Sequence, residues 1–409
     1  MQRIGVDVLG IERMARAVGR SGERFLRKSF TPAELAYCAG SPERLAGRWA
    51  AKEAVIKCFD GTGICFPRRR IEILPANTGA PRVRLIGGDA RGATVQVSIT
   101  HQAQVAIATA RLEMTERPRL AEAPEAVAMP PRPKDGHKGT FGTVVVLAGS
   151  LGLTGAAYLA ATAAARSGAG LVRLLVADGI YPILAAKCTE VMATPVPEVA
   201  PGHIGHAAED IVLRHLEGAS AAVIGPGLGR DRSTWRLIYN LLGRVRVPAV
   251  LDADALNALA ANRRALKKLG KGRVLTPHPG EMGRLLNKST AEVNKDRPKA
   301  AALAAEEWGA VVVLKGAHTV VAAPGGRVSV DPHEVPALAS GGTGDVLAGV
   351  IGGLLAQGCE PFTAAVTGVY VHASAGRAVS EHLGDSGLLA SDLLLEIPLV
   401  MDQLRRGGL

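Results

Sequence analysis

The sequence predicts two domains of different class, a small α+β domain over residues 1–113 and a doubly wound α/β domain over residues 124–409, joined by a linker at 114–123. Three observations carry this expectation. A chain of 409 residues with 47% apolar side chains exceeds what one ordinary core organises. Residues 114–135, MTERPRLAEAPEAVAMPPRPKD, hold five prolines among alternating charges with no apolar period, the composition of an extended connection. On either side of that stretch the hydrophobic rhythm differs.

Before residue 114 the short runs IGVDV, RIEIL, RVRLI, TVQVSIT and QVAIATA read as strands around two helical stretches. Thr31-Pro32-Ala33-Glu34 is a capping box with proline at the first helical position, a structural device that starts a helix. From residue 143 the chain alternates between TVVVLAG, a small-residue helix from Gly155 to Arg166, LVRLLVA and a helix near 205–217. AAVIG, PAVLDAD and VVVLKG follow, with helical segments between them. Such alternation is the rhythm of a mostly parallel sheet with helices on both faces.

The five cysteines, Cys38, Cys58, Cys65, Cys188 and Cys359, are scattered and never spaced as CxxC. That excludes a disulfide framework and a zinc cluster and fits a reduced, cytoplasmic setting. No stretch reaches the ~20 uninterrupted apolar residues of a membrane helix, so no membrane association is expected. Of the net charge of +11, residues 1–113 carry +8, from 15 Arg and 3 Lys against 10 Asp and Glu. An acidic partner is implied for that part. With aromatics at 3%, stacking platforms for nucleic acid are few, and an acidic protein or a polyphosphate substrate explains the charge equally well. Arg13, Arg16, Arg20 and Arg24 would line one face of a helix running through Gly19 and Gly22.

Asp7 ends the strand-like run IGVD, and Glu53 precedes Lys57 by four in the helical stretch WAAKEAVIKCF. Magnesium takes one or two carboxylates plus phosphates, so Asp7 and Glu53 could hold a metal on a pyrophosphate beside Lys57. Taken singly, Glu53 with Lys57 is also an ordinary solvated helix pair, and Asp7 a turn residue. His101 closes VQVSITH with the parity of Val95, Val97 and Ile99, which alone reads as a core histidine. In order, IGVDVLGIERM, RFLRKSFTPAEL, WAAKEAVIKCFDGTG, NTGAP and SITHQ make residues 1–113 resemble the holo-acyl-carrier-protein synthases, the small 4'-phosphopantetheinyl transferases. The resemblance implies Mg2+ at Asp7 and Glu53, coenzyme A pyrophosphate near Lys57, and His101 at the active site. It also implies a homotrimer with sites between protomers, an acidic acyl carrier protein as partner, and adenosine 3',5'-bisphosphate as by-product. The arginine face would dock the carrier.

In the second domain, GGTGD at 341–345 leads into the apolar helix DVLAGVIGGLLAQ. Glycines there turn the backbone so that N–H groups share one space with the helix dipole, an anion hole, while Asp345 should stay ionised and accept a proton from an attacking hydroxyl. The chain has no GxxxxGK[ST] loop, and GPGLGR at 225–230 is not the dinucleotide GxGxxG. With HKGTFGTVVVLAGS, TGAAYLAA, SGAGLVRLL, IGPGLGR, VLDADALNAL, LTPHPGEM and LKGAHTVV, this run resembles the ADP- or ATP-dependent NAD(P)HX dehydratases, which are ribokinase-like, over residues 124–405. The resemblance implies that Ala156, Gly227, His278 and Asp345 contact the hydrated NAD(P)H. Lys315, Gly316, Ala317, His318, Thr319 and Gly344 would contact ADP or ATP.

Singly, His278 between two prolines shapes a loop, Lys315 is a solvated strand end, and Asp252 and Asp254 only cap and turn. A ribokinase-like kinase of a vitamin-precursor alcohol uses the same anion hole, and the first domain alternatively reads as a non-catalytic basic binding module. Dehydratases of this kind are often fused to an epimerase of the two NAD(P)HX epimers. No epimerase motif block is visible, so a separate epimerase is the expected metabolic partner.

Overall fold

In the computed structural model, which describes residues 2–60, 66–86, 93–102, 104–114 and 120–407, the chain divides into two units, Met1–Arg117 and Pro118–Leu409. Strands β1 (Gln2–Gly10), β2 (Ile71–Pro75), β3 (Pro81–Leu85), β4 (Ala93–Gln102) and β5 (Val105–Met114) of the first unit form an antiparallel sheet in the order β1-β5-β4-β3-β2. Among the described residues three helices accompany it: α1 (Ile11–Ser29), α2 (Pro32–Cys38) and α3 (Pro42–Phe59). The short α2 is the helix that the capping box at Thr31 and Glu34 starts. Thr31 Oγ1 accepts the Glu34 N–H at 3.3 Å, and the Glu34 carboxylate accepts the Thr31 N–H at 2.8 Å.

Helix α3 lies directly on the sheet because both sides are small. Ala50, Ala51 and Ala54 are buried, and a Cβ on Gly5 of β1 would sit 2.0 Å from the Ala54 carbonyl oxygen. Glu34 also reaches inward to Lys52 of α3 at 2.7 Å, with both side chains fully buried. Lys52 further donates to the carbonyls of Arg68 and Ile71, at 2.9 and 2.6 Å, and so ties the chain before β2 to α3. One expectation fails in α1. Gly22 adopts φ 50°, ψ −139° and kinks the helix, so Arg24 leaves the register shared by Arg13, Arg16 and Arg20.

The second unit is built on a nine-stranded sheet made of β6 (Thr143–Leu147), β7 (Leu171–Ala177), β8 (Met192–Val196), β11 (Ala221–Ile224), β12 (Ala249–Leu251), β13 (Arg273–Leu275), β14 (Val311–Leu314), β15 (Val320–Ala322) and β16 (Val328–Val330). A small hairpin, β9 (Glu198–Ala200) with β10 (His203–Ile204), stands apart from it. The order is β16-β15-β14-β13-β12-β11-β6-β7-β8, parallel from β8 to β14. Strands β15 and β16 add an antiparallel edge, which makes the sheet mixed. Helices α4 (Thr154–Arg166), α5 (Tyr181–Lys187), α6 (Glu209–Glu217), α7 (Arg232–Leu242), α8 (Asp254–Ala261), α9 (Pro279–Leu286), α10 (Thr290–Lys295), α11 (Arg297–Trp308), α12 (Thr343–Ala356), α13 (Pro361–Leu383) and α14 (Ala390–Arg405) complete the fold. Strand order reverses between β6 and β11, and in such sheets ligands bind outside the carboxyl ends of strands at the reversal.

From Leu120 onward the proline-rich stretch is not the extended connection that its composition predicts. Leu120, Ala123, Ala126, Val127 and Met129 pack on the second core. The Tyr370 hydroxyl donates to the Ala121 carbonyl, and Thr367 Oγ1 accepts the Ala128 N–H at 3.0 Å. The four prolines from Pro124 to Pro133 suppress a helix there without preventing burial of the apolar residues between them. Among the described residues no helix is long and apolar enough to cross a membrane.

Small residues also set how α12 meets α4. Ala157, Ala160, Ala161, Ala163 and Ala164 of α4 are fully buried, and a Cβ on Gly349 would come within 2.1 Å of the Ala160 carbonyl oxygen. Gly349→Ala would force the helices apart at a cost of ~1–3 kcal/mol, more than the ~1 kcal/mol that alanine gains in a helix. The expected outcome is a drop of several degrees in the melting temperature of the second domain, with that of the first unchanged in a two-transition calorimetric scan.

Candidate functional site

In the first unit the close approach at Gly5 brings Asp7, two residues further along β1, against α3. There Lys57 Nζ donates to Asp7 Oδ1 and to the Val6 carbonyl, each at 2.8 Å. Glu53, one turn earlier on α3, pairs with Arg68, whose guanidinium lies 4.6 Å from the centre of the Trp49 ring. Asp7, Glu53, Arg13 and Arg68 line one cavity of about 400 Å³. Each carboxylate therefore has its own exchangeable cation, and the two offer hard oxygen donors to a shared space. Among the described residues no group of three His, Cys, Asp or Glu could hold a metal by itself. That donor set suits an ion that keeps phosphate and water ligands, as magnesium does. His101 is exposed, which excludes the core-histidine reading. It shares a register row with Ala106 and Leu9, two strands from the cavity's Leu9, and does not itself line the cavity.

In the second unit the groups converge at the carboxyl ends of the parallel strands. Asp252 follows β12 and Asp254 begins α8; Ala253 between them holds φ 48°, a left-handed conformation costly for alanine. Thr276 Oγ1, after β13, donates to Asp252 Oδ1 at 2.7 Å. Lys315, after β14, reaches the same oxygen at 2.9 Å and Glu281 at 3.9 Å. Burial disfavours the Lys315 ammonium, but Asp252, Glu281 and Asp345 outweigh it and hold its pKa above the ordinary value. Asp345, in the first turn of α12, is pushed up to about 7 by burial first, then by Asp252, with Asp254 and Glu281 adding to the effect. This corrects the expectation that the helix dipole keeps Asp345 ionised: burial, and after it crowding by carboxylates, outweighs the dipole and raises the pKa to about 7.

The loops after β6 and β11 form the facing wall. A Cβ on Gly227, at φ +60°, would lie 2.9 Å from the Ala156 Cβ, so the two residues touch across the strand reversal. The Gly229 N–H donates to Asp254 Oδ2 at 2.8 Å and joins that wall to the acidic group. His278 caps α9: its Nδ1 accepts the Gly280 and Glu281 N–H groups at 3.0 and 3.4 Å. Burial, then Lys315 and Arg284, lower its pKa, which leaves a neutral ring with Nε2 as its remaining donor.

A cavity of about 420 Å³ opens beside the GGTG turn, lined among others by Lys315, Gly316, Ala317, Thr319 and Gly344. His318 is not among its lining residues. It takes φ 52° at the tip of that loop, and its exposed ring meets the Asp331 carbonyl at 3.2 Å. The cavity also gathers groups that sequence reasoning missed. Asp331 pairs with His333 at 3.2 Å, and His333 Nε2 meets Ser374 Oγ at 3.2 Å. His372 of α13, driven down to about 4 chiefly by burial, donates from Nε2 to the Thr343 carbonyl at 2.9 Å and so braces the turn from beneath. DPHE is a short polar run and VYVHAS a polar residue in an apolar context, and neither has a periodicity to reveal it. Arg68 was missed for a similar reason, as one of three consecutive arginines.

A doubly wound sheet with a glycine-rich helix start and a strand-end lysine at its carboxyl edge defines a ribokinase-like α/β protein with a preceding α+β domain. The chain belongs to the NAD(P)H-hydrate dehydratase family, whose profile matches residues 144–399, and residues 3–110 match the 4'-phosphopantetheinyl transferase superfamily. The bifunctional NAD(P)H-hydrate repair enzyme Nnr of Moorella thermoacetica is 48% identical over 276 residues, 68% of this chain and 52% of that protein. The chain thus spans about half the length of such bifunctional relatives. The ADP-dependent (S)-NAD(P)H-hydrate dehydratase of Xanthomonas campestris pv. campestris is 37% identical over 71% of this chain and 99% of its own length. The crystal structure of the ADP/ATP-dependent NAD(P)H-hydrate dehydratase of Bacillus subtilis, co-crystallized with ATP/Mg2+, is 31% identical and superposes with a TM-score of 0.57, covering 67% of this chain and 94% of that one.

The raised pKa of Asp345 has a consequence for stability. An unfolded aspartate titrates near ~3.9, so the folded state favours the protonated form, and stability is lost as pH rises toward about 7. Asp345→Asn, permanently neutral, should raise the melting temperature of the second domain at pH 8. Its advantage should shrink toward zero near pH 4, as checked by calorimetry across that range.

Proposed function

We propose that the chain is bifunctional, dehydrating NAD(P)HX at the expense of ADP or ATP in its second domain and transferring 4'-phosphopantetheine in its first. The dehydratase reading is carried by Asp345, a carboxylate poised at about 7 beside the anion hole and Lys315. Asp345 takes the proton of the substrate's ring hydroxyl as that oxygen attacks the terminal phosphorus of the nucleotide, and the bond to the bridging oxygen breaks, releasing AMP when ADP is the donor. Lys315 and the N–H groups of the Gly341–Gly344 turn carry the charge on the transferring group. The resulting phosphate ester is a leaving group where hydroxide is not. The ring nitrogen's electron pair expels phosphate, and loss of the neighbouring ring-carbon proton restores the dihydronicotinamide. Ala156 and Gly227 form the wall for the substrate and His278 offers it Nε2–H, while Lys315, Gly316, Ala317, Thr319 and Gly344 surround the nucleotide, and His318 would reach it only from the exposed tip of that loop.

In the first domain the serine hydroxyl of an acyl carrier protein attacks the pantetheine-side phosphorus of coenzyme A, and adenosine 3',5'-bisphosphate leaves. Magnesium at Asp7 and Glu53 would supply charge neutralisation on the pyrophosphate. Lys57, with Arg13 and Arg68 on the same cavity, presents further positive charge to it. The exposed Arg13, Arg16 and Arg20 of α1 offer a basic face to the acidic carrier. Ile4, Val6, Val8 and Ile107, at least 36% exposed on the sheet face away from α3, support a homo-oligomer. In it the partner protomer would bring His101 to the site. Free thiols at Cys38, Cys58, Cys188 and Cys359 support a cytoplasmic setting. A separate epimerase would supply the reactive NAD(P)HX epimer.

Asp345→Asn should retain nucleotide affinity while kcat for NADHX falls ~100- to 10,000-fold. The wild-type rate should rise with pH through a limb near about 7 that the variant lacks. Near-normal turnover would remove Asp345 from the mechanism. Asp7→Ala and Glu53→Ala should abolish carrier-protein modification and leave NADHX repair within about twofold, because the two units have separate cores. Loss of both activities in a folded variant would contradict the division of labour.

A further inference from the structure

The cavity beside the glycine-rich turn has a strongly uneven lining. At one corner Lys315 Nζ lies 3.4 Å from the place a Cβ of Gly344 would occupy, which suits phosphate. Val335, Leu338, Leu347 and Val369 supply an apolar wall, which suits a base. Between strand β16 and that wall the chain contributes Asp331 and Glu334. Among the described residues that line the cavity, Lys315 is the only lysine or arginine.

Asp331 is held rather than mobile. Its side chain is 4% exposed, and its oxygens accept the His333 N–H at 3.1 Å and meet His333 Nδ1 at 3.2 Å. His333 is fixed in turn by Ser374 and by the edge-on ring of Tyr370. A carboxylate has about four acceptor sites, so Asp331 keeps capacity for a ligand donor. A nucleotide with its phosphates at Lys315 and its base on the apolar wall brings its ribose to this acidic segment. Ribose hydroxyls donate to a carboxylate, whereas a ribose phosphate is repelled by one and needs a cation instead.

We propose that this cavity selects adenine nucleotides whose ribose hydroxyls are free and rejects those phosphorylated on the ribose. The inference rests on the reading of the cavity as the nucleotide site. It has a consequence particular to the fusion of these two domains. Coenzyme A and adenosine 3',5'-bisphosphate, the proposed substrate and by-product of the first domain, both carry a 3'-phosphate. They are thereby kept out of the second domain's nucleotide cavity, and one half of the chain does not inhibit the other.

The test is displacement of radiolabelled ADP from the full chain in equilibrium dialysis, with AMP and adenosine 3',5'-bisphosphate as competitors that differ only in the 3'-phosphate. ADP binding that is lost in Lys315→Ala identifies the fraction held in this cavity. AMP should displace that fraction at least about tenfold more effectively than the bisphosphate. Asp331→Asn and Glu334→Gln should each narrow the ratio, mainly by improving displacement by the bisphosphate. The exposed Glu334 tests this without touching the packed Asp331–His333 pair. Equal displacement by the two competitors in the wild type, or an unchanged ratio in both variants, would overturn the proposal while leaving the nucleotide site intact. Failure of ADP to bind, or binding indifferent to Lys315→Ala, would overturn the nucleotide reading itself and this selectivity with it.

Discussion

Four carboxylates and one ammonium share the crevice at the carboxyl edge of the large sheet, and the chemistry of the second domain depends on how that imbalance is divided. Lys315 commits to Asp252 at 2.9 Å, on an oxygen that Thr276 also donates to, and stands 3.9 Å from Glu281. Asp345 is raised first by burial and then by the repulsion of its neighbours, and receives only part of the lysine's field in return. Moving the ammonium onto Asp345 would turn that residue into an ordinary ion-paired aspartate, a much weaker base. The proton affinity of Asp345, the base proposed above, therefore depends, beside its burial, on where β14 ends and on which oxygen its lysine finds first.

For those groups to converge at all, backbone segments from different strands must come closer than side chains permit. Gly225 after β11, at φ +128°, runs against the Asp252 carbonyl oxygen, where a Cβ would lie at 1.8 Å. The α12–α4 contact at Gly349 fixes the height of Asp345 above the sheet in the same way. The small-residue composition of GVIGG and AAYLAATAAAR is thus part of the site, although none of these side chains touches a ligand. The first unit repeats the principle on a smaller scale. Gly5 admits α3 onto β1, and this alone places Asp7 within reach of Lys57 and in the same cavity as Glu53.

The sequence made legible what repeats or follows a local rule. Strand-length apolar runs, small-residue helices and the GGTGD helix start all depend on neighbours within a few residues, and each appears where the pattern places it. The helix α2, too short for periodicity, was still announced by its capping box, Thr31 with Glu34. Two kinds of feature were hidden. The packed course of residues 120–135 depends on partners such as Thr367 and Tyr370, more than 230 residues away. The Asp331–His333–Ser374 chain likewise joins a loop to a distant helix, and nothing in either local stretch announces the other. The ionisation of Asp345 was misjudged for a related reason. Its own helix argued for a charge, and the opposing carboxylates come from after β12 and from α9.

The two domains use the same residue type in opposite electrostatic settings, and the difference follows from counting charges. In the first unit each carboxylate has one cation of its own, Asp7 with Lys57 and Glu53 with Arg68, on side chains that are 48% and 41% exposed. A carboxylate so paired can exchange an ammonium or guanidinium for a divalent ion without passing through an uncompensated state, while the released cation turns to the ligand's phosphate. In the second unit the single lysine is only 19% exposed and has Asp252 and Glu281 to serve before Asp345. No such exchange is open there, and the carboxylate left without a full partner has its pKa raised to about 7 by burial and by that repulsion. One-to-one pairing near solvent is the setting of Asp7 and Glu53, the metal ligands proposed above; a buried excess of carboxylates is the setting of Asp345, the proposed base.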